Sequence, residues 1–306
     1  MPRPKNKSAR KNLLRRVRRP KLKHITILPS LVTILNGVCG FAAIVFAGKG
    51  AMPGPGGFSY FAISGYMILL AMIADMLDGR LARMNQSTSS FGGQLDSLCD
   101  IISFGVAPAF LMLRVLEYKL SGFEGFNPTT ETFLERFIWA AAAGYISCAA
   151  IRLARFNVEN EEDESAHMSF VGLPTPAAAG VIVSLVILHQ EILPSLNIII
   201  YILPFCALGT GVLMVSRIRY PHVLNQYLRG KKPFSYLIRV LLLSAFIYWT
   251  NLQAAMVLIF CGFAASSFVK WFYYKVISKK HKIVTAVQPA LTTNNNTDNI
   301  VETEDL

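Results

Sequence analysis

Long apolar stretches separated by short polar connections dominate this chain. A helix of about 20 apolar residues crosses the hydrocarbon layer of a membrane, and the sequence offers about eight stretches of that kind. They lie at residues 25–47, 58–77, 95–116, 137–156, 173–190, 194–216, 236–250 and 254–272. The last two are separated at residues 250–253, because this polar tetrapeptide suits a tight hairpin within an otherwise uncharged run. The pattern predicts an all-α, polytopic membrane bundle.

Composition excludes an ordinary soluble domain. Of the 306 residues, 53% are hydrophobic, and the mean hydropathy is +0.43. The five cysteines stand singly within apolar segments, which indicates small packing residues and neither disulfides nor a soft-metal site. The five histidines are equally scattered.

The positive charge is concentrated in the tails and in alternate connections. The first 23 residues hold 11 of the 30 Lys and Arg residues. With eight spans, 26 of the 30 fall on one side of the membrane, and the other side receives Lys49, Arg114, Lys119 and Arg136. The positive-inside rule therefore predicts that both termini are cytoplasmic, in an inner or cytoplasmic membrane. Residues 1–24 are predicted to form a basic arm that suits anionic lipid better than nucleic acid, and residues 283–306 a disordered tail.

Four aspartates stand where two apolar stretches meet. Asp75 and Asp78 are spaced i, i+3, and Asp96 and Asp100 are spaced i, i+4, so each pair shares one face of its helix. A carboxylate at the edge of the hydrocarbon layer requires a partner such as a cation. Two helices that present paired carboxylates toward one point form a site for a hard divalent cation, Mg²⁺ or Mn²⁺. Alternatively, the aspartates pair with nearby arginines and only fix helix packing, which leaves the glycine positions described next without a reason.

The residues between the aspartates suit a phosphate-bearing ligand. Gly79, which has no side chain, lets a diphosphate approach the helix backbone closely, and Gly92 serves the facing helix in the same way. Ala82 keeps the same face small. The guanidinium of Arg83 suits either a phosphate or an aspartate.

Together these positions form the pattern D-x2-D-G-x2-A-R-x8-G-x3-D-x3-D, made by Asp75, Asp78, Gly79, Ala82, Arg83, Gly92, Asp96 and Asp100. This pattern resembles the signature of the CDP-alcohol phosphotransferase family of integral membrane enzymes. The resemblance implies a six-helix membrane domain, here residues 25–221, in a homodimer with its active site at the cytoplasmic face. It also implies that Asp75, Asp78 and Asp96 bind the metal, that Gly79 lies against the nucleotide, and that Asp100 binds metal or acts as general base. Residues 222–282 would then be a two-helix extension.

Further segments are similar to the membrane-type phosphatidylserine synthases within that family. They include residues 29–36, 103–108, 148–157, 170–179 and 217–221. The implied reaction transfers the phosphatidyl group of CDP-diacylglycerol to L-serine and releases CMP. Arg152 and Arg155, at i, i+3, are candidate partners for the serine carboxylate, although a positive-inside bias alone also explains them. Thr33 and Asn36 are candidate cytidine or phosphate contacts, or ordinary interhelical hydrogen bonds.

Two other functions remain open on the sequence alone. Another alcohol, such as glycerol 3-phosphate, inositol phosphate or choline, would use the same aspartates, with a denser basic pocket if the acceptor is phosphorylated. A divalent-cation transporter would place its ion site near the middle of the membrane between broken helices, whereas these aspartates lie at one predicted edge.

Overall fold

The computed structural model describes residues 27–84, 90–120, 128–162, 170–216, 218–220, 251–266 and 269. These residues are almost entirely helical. The helices are α1 Ile27–Lys49, α2 Tyr60–Met84, α3 Ser90–Asp100, α4 Ala107–Leu120, α5 Pro128–Glu162, α6 Thr175–Glu191, α7 Ile198–Val215 and α8 Leu252–Ser266. A π-helical turn, Ile101–Val106, joins α3 to α4, and two short strands, β1 Phe170–Val171 and β2 Arg219–Tyr220, pair antiparallel.

The predicted membrane bundle is confirmed. Five helical stretches of the described chain are long and apolar enough to cross a membrane: Ser30–Lys49, Tyr60–Leu81, Phe91–Leu120, Thr132–Val158 and Ile198–Val215. Helices α6 and α8 are apolar but shorter. The predicted span 236–250, the basic arm and the C-terminal tail lie outside the described residues. At the predicted break before the last span, Asn251 has a φ of 65°, and α8 begins at the next residue.

Helices α1 and α2 form the most extensive helix pair. Their short connection folds back through a bridge between Pro53 and Ser59, so the two helices run antiparallel. Small buried residues, including Ala43 and Ala71, let the helices approach closely. The Ser64 hydroxyl donates to the Ala43 carbonyl oxygen at 2.7 Å, which satisfies a polar group inside the pair. The beginning of α1 therefore lies at the same end of the bundle as the end of α2.

The π-helical turn lies at the centre of the bundle, against α1, α5 and α6. Ser103, Phe104 and Gly105 are buried within it. Helical backbone angles at Asp100 and Ala107 carry the chain straight through, so α3, the turn and α4 act as one continuous 30-residue crossing. A π-helical turn contains one residue more than an α-helical turn and is frequent at functional sites.

Two close approaches tie the C-terminal helices to the rest. Gly172, with a φ of +86°, connects β1 to α6, and a Cβ atom there would lie 2.2 Å from the carbonyl oxygen of Met214 at the end of α7. Only glycine fits this position. Helix α8 packs on α6 where the Phe260 ring covers Gly180, and a Cβ atom at Gly180 would lie 2.3 Å from that ring.

Candidate metal and nucleotide-lipid site

Three of the four motif aspartates converge. Asp75 and Asp78, near the end of α2, and Asp96, in α3, each offer a carboxylate oxygen, and these three atoms lie within 4.8 Å of one another. Asp78 is 5% exposed, and Asp75 and Asp96 are partly buried. The helical spacing brings Asp75 and Asp78 to one face of α2, and the packing of α3 brings Asp96 to the same point.

The donor set of this acidic trio fits a hard divalent cation. Asp78 Oδ2 and Asp96 Oδ1 are buried and accept no hydrogen bond from the described residues. Among those residues, no salt bridge connects the trio to an arginine. Three carboxylates this close repel one another unless positive charge lies between them. Carboxylate oxygens are the ligands that Mg²⁺ and Mn²⁺ prefer, so the residues present suit either ion.

Asp100 lies beside the trio and has a different environment. It is 8% exposed, and its Oδ1 accepts a hydrogen bond from the Asn36 amide nitrogen at 3.0 Å. It is not among the three carboxylates that converge. The side chain of Thr33, one turn before Asn36 in α1, hydrogen-bonds the Asp78 carboxylate. Both predicted α1 residues therefore contact motif aspartates, one in the trio and one beside it.

The π-helical turn fixes the backbone immediately after Asp100. The Ser103 hydroxyl donates to the Asn36 carbonyl oxygen at 2.9 Å, and the fully buried Tyr145 donates to the Phe104 carbonyl oxygen at 3.0 Å. Gly40 provides the space for Ser103, since a Cβ atom at Gly40 would lie 2.3 Å from the Ser103 hydroxyl oxygen. The backbone carbonyl of Asn36 thus accepts from Ser103, while its side-chain amide nitrogen donates to Asp100.

The two candidate acceptor-binding arginines lie at the same end of the bundle. Arg152 is 8% exposed, donates to the Thr175 hydroxyl at 3.2 Å, and has a buried Nε with no hydrogen-bond partner among the described residues. It lies near enough to Asp100 and Asp75 for its charge to act on both. Arg155, one turn further along α5, donates to the Val215 carbonyl oxygen at 3.3 Å. Arg152 is therefore the arginine nearer to the motif aspartates.

The remaining motif positions lie on the same two helices. A side chain at Gly79 would meet no described atom within 4 Å, so the α2 backbone is open there, as a close approach by a phosphate requires. Gly92 is in the first turns of α3. The side chains of Ala82 and Arg83 lie outside the described part of the structure.

Sequence reasoning gave no site role to Ser103 and Tyr145, which the structure places here. Thr175 belongs to residues 172–176, which the sequence offers either as a proline-rich helix start or as part of the pocket wall, with no partner named. Each of the three acts through a contact with a residue distant in sequence, on another element. For Thr175 a signal existed, because a polar side chain between two prolines at the start of an apolar helix is unusual. Tyr145 and Ser103 look like ordinary polar residues in apolar spans, and no local pattern distinguishes them.

Comparison with known proteins assigns the class. Residues 26–214, more than half of the chain, match the family model described as CDP-alcohol phosphatidyltransferase. The chain belongs to this family, and the matched region contains the acidic trio, Asp100 and both arginines.

Several curated relatives carry one name. The Helicobacter pylori protein called CDP-diacylglycerol–serine O-phosphatidyltransferase is 31% identical over 261 residues, which cover 84% of this chain and 96% of that protein. Relatives with the same name are 30% identical in Methanocaldococcus jannaschii, over 81% of this chain and 98% of that protein, and 30% identical in Bacillus subtilis, over 64% and 90%. An alignment over 84% of the chain is longer than residues 1–221, so the similarity to the Helicobacter pylori protein continues into the C-terminal segment.

Proposed function

We propose that this protein transfers the phosphatidyl group of CDP-diacylglycerol to the hydroxyl group of L-serine and releases CMP. The observation that carries the proposal is the convergence of Asp75, Asp78 and Asp96 beside Asp100, in a chain of the CDP-alcohol phosphatidyltransferase family. Serine as the acceptor rests on the name shared by the relatives in bacteria, an archaeon and yeast. The same reaction with another alcohol is the nearest alternative.

Asp75, Asp78 and Asp96 are the residues that would hold Mg²⁺ or Mn²⁺. When bound, the ion supplies positive charge to the diphosphate and to the departing CMP. The buried, unpartnered oxygens of Asp78 and Asp96 support this assignment, because a buried carboxylate oxygen without a donor costs about 1–3 kcal/mol or more. The sequence makes Thr33 a candidate either for a ligand contact or for an interhelical hydrogen bond. Its hydrogen bond with Asp78 supports the second role, in which it orients that carboxylate.

Asp100 is the general base. The serine oxygen attacks the phosphorus atom that carries the lipid, the bond from that phosphorus to the CMP oxygen breaks, and the hydroxyl proton passes to Asp100. Asn36 occupies Oδ1 of Asp100, so we assign the proton to Oδ2. A base must lie within hydrogen-bond reach of the proton it takes, and the Asn36 bond supplies the fixed orientation that this requires.

The nucleotide-lipid lies over the ends of α2 and α3. The open backbone at Gly79 supports a close phosphate approach there. We assign Ala82, Arg83 and Gly92 to the same ligand on the strength of the motif. Asn36 is the remaining candidate on α1, and its buried Oδ1 has no hydrogen-bond partner among the described residues.

Serine binds between Asp100 and Arg152. The Nε of the buried Arg152 guanidinium has no described partner, so it can donate to a carboxylate. The Nη1 of the same group donates to the Thr175 hydroxyl, which fixes the orientation of the guanidinium. Arg155 contacts the end of α7 and supports the same pocket from one turn away. The two described arginines of this pocket suit the single carboxylate of serine better than a phosphorylated acceptor.

The topology proposed from charge puts this end of the bundle at the cytoplasmic face of an inner or cytoplasmic membrane. Serine and CMP, which are water-soluble, would enter and leave the site from that side. The proposed organisation keeps residues 1–24 as a basic arm, 25–221 as the catalytic membrane domain, 222–282 as a two-helix extension and 283–306 as a tail. A homodimer is proposed from the family alone.

One assay tests the reaction. Purified protein in detergent receives CDP-diacylglycerol, Mg²⁺ or Mn²⁺, and one alcohol from a panel of serine, glycerol 3-phosphate, inositol phosphate and choline, and CMP release is measured. We expect release with serine and loss of release when the metal is chelated. Release with another alcohol and not with serine would refute the acceptor. Metal flux into proteoliposomes that lack CDP-lipid, without any CMP release, would instead establish a transporter.

A further inference from the structure

A second polar cavity lies at the end of the bundle opposite the acidic trio. Its volume is about 670 Å³, a size typical of small-molecule sites. Residues of the α1–α2 connection, the end of α6 and the start of α8 line it, among them Gly57, Ser59, Gln190, Glu191, Asn251 and Gln253. Helix α2 begins at this cavity, and its eighteen-residue path from Tyr60 to Asp78 is about 27 Å long at 1.5 Å per residue. The cavity is therefore not part of the site described above.

Glu191 is the one ionisable residue among the described residues that line the cavity. Its Oε2 accepts hydrogen bonds from the Tyr66 hydroxyl at 2.8 Å and from the Gln253 amide nitrogen at 2.6 Å. Its Oε1 is buried and accepts none from the described residues. The two donors are neutral, so they orient the carboxylate, and its negative charge has no counter-ion among the described residues.

The position of Glu191 makes the local potential more negative. Glu191 is the last residue of α6, where the backbone carbonyl groups give a helix a partial negative charge. Among the described residues, no salt bridge reaches Glu191. Lys49 and Lys119, which belong to the same end of the bundle, do not line the cavity. The first lies over the Tyr60 ring at 4.8 Å, and the second donates to Asn197 at 3.2 Å.

We propose that this cavity binds an organic ammonium group, carried by a lipid headgroup or by a soluble amine. A primary ammonium group has three N–H donors, and the cavity offers one carboxylate, the amide oxygen of Asn251, and the amide oxygen of Gln190, which also accepts a hydrogen bond from the Ser59 hydroxyl at 2.9 Å. A divalent cation fits less well, because Ca²⁺ takes six to eight oxygen ligands and Glu191 is the one carboxylate among the described lining residues. The site would join α6 and α8 through the ligand as well as through the bond between Gln253 and Glu191.

The test uses the full chain, purified in detergent, with radiolabelled ethanolamine as the probe and equilibrium dialysis as the measurement. We expect Glu191→Gln to weaken ethanolamine binding at least ten-fold, because the amide keeps the shape of the side chain and removes its charge. The matched control is Glu117→Gln, since the side chain of Glu117 is 32% exposed and pairs with Arg114 on α4. Equal binding by the Glu191→Gln variant and the wild type would overturn the proposal.

A comparison of ligands on the wild-type protein keeps the proposal testable if the variant fails to fold. Ethanolamine should bind at least ten-fold more tightly than ethylene glycol, which has no charge, and several-fold more tightly than choline, which has no N–H donor. Equal binding of ethanolamine and ethylene glycol, or binding that a metal chelator abolishes, would refute an ammonium site.

Nanodiscs distinguish the two sources of the ammonium group. In discs of phosphatidylethanolamine and phosphatidylglycerol, a lipid ligand predicts that mass spectrometry finds an aminolipid retained by the wild type and by Glu117→Gln, and lost from Glu191→Gln. A soluble ligand predicts no retained aminolipid and unchanged ethanolamine binding in those discs. Retention of phosphatidylglycerol in its place would contradict both.

Discussion

The two ends of the bundle treat buried carboxylates differently. At one end three aspartates converge within 4.8 Å, and two of their oxygens are buried without a described donor. At the other end a single carboxylate, Glu191, receives two hydrogen bonds from neutral side chains. On the two ligands proposed above, the number of carboxylates at each end matches the charge of the ligand. Three converging carboxylates suit a divalent ion that carries phosphates, whereas one oriented carboxylate suits a single positive charge.

The largest effect should come from Asp100, the proposed base at the acidic end. Asp100→Asn keeps the shape of the side chain and removes the carboxylate that we propose accepts the serine proton. We expect CMP release to fall about 10²- to 10⁴-fold. Binding of CDP-diacylglycerol in the presence of metal should be retained, and Glu117→Gln, far from this end, should leave both unchanged. Normal turnover by the Asp100→Asn variant would contradict the assignment.

Removing a trio carboxylate should separate activity from stability. Asp78→Asn takes away a proposed metal ligand, so CMP release should be largely lost. The metal-free protein should nevertheless be stabilised by about 1–3 kcal/mol, because a carboxylate that repels its two neighbours, and whose Oδ2 has no described donor, has become neutral. The CMP-release assay measures the first effect, and thermal unfolding in detergent measures the second. Added Mn²⁺ should raise the unfolding temperature of the wild type and not that of the variant. A metal-induced shift of the same size in the Asp78→Asn variant would exclude Asp78 as a ligand.

The support for Asp100 should matter less than Asp100 itself. Asn36→Leu leaves Oδ1 of Asp100 without its donor, which we expect to cost about 1–3 kcal/mol of stability. The kcat should fall while the KM for serine stays near the wild-type value, because Asn36 acts on the base and does not touch the acceptor. A rise in the KM for serine with unchanged kcat would place Asn36 in the acceptor pocket instead.

The smallest effect on catalysis should come from the packing of α8. A Cβ atom at Gly180 would lie 2.3 Å from Phe260, so Gly180→Ala should cost about 1–3 kcal/mol of stability through overpacking. CMP release below the unfolding temperature should be unchanged. Gly209→Ala is the matched control, since a Cβ atom there meets nothing described within 4 Å, and it should stabilise α7 by up to about 1 kcal/mol. Loss of CMP release in the folded Gly180→Ala protein would show that the two ends are coupled.

Much of the fold could be predicted from the apolar runs. Seven of the predicted spans correspond to described helices, and the main discrepancies are in their lengths. The span predicted at 137–156 is part of α5, Pro128–Glu162, a helix of 35 residues. At 1.5 Å per residue it is about 52 Å long, so it continues well beyond a hydrocarbon layer about 30 Å thick. Polar residues end a hydropathy pattern, but they do not end a helix.

The site could be predicted only as far as local periodicity extends. The i, i+3 spacing of Asp75 and Asp78 placed both on one face of α2, and both join the trio. The i, i+4 spacing of Asp96 and Asp100 did not indicate that Asp96 would join Asp75 and Asp78 while Asp100 would not. Asp100 instead accepts a hydrogen bond at 3.0 Å from Asn36, which lies 64 residues earlier in the chain. The π-helical turn was equally hidden, because residues 101–106 are uncharged and carry no local signal.

The π-helical turn after Asp100 has a consequence for how this chain tolerates insertions and deletions. Each residue of an α-helix turns the chain by about 100°, and the wide π-helical turn accommodates one extra residue without adding that rotation. Ordinary α-helical pitch over Ile101–Val106 at the same length would therefore turn everything from Ala107 onward by roughly that angle, whereas deleting one residue would let an α-helical turn keep the present orientation of α4. An inserted residue that the turn did not absorb would turn Leu111, Met112 and Val115 away from their neighbours.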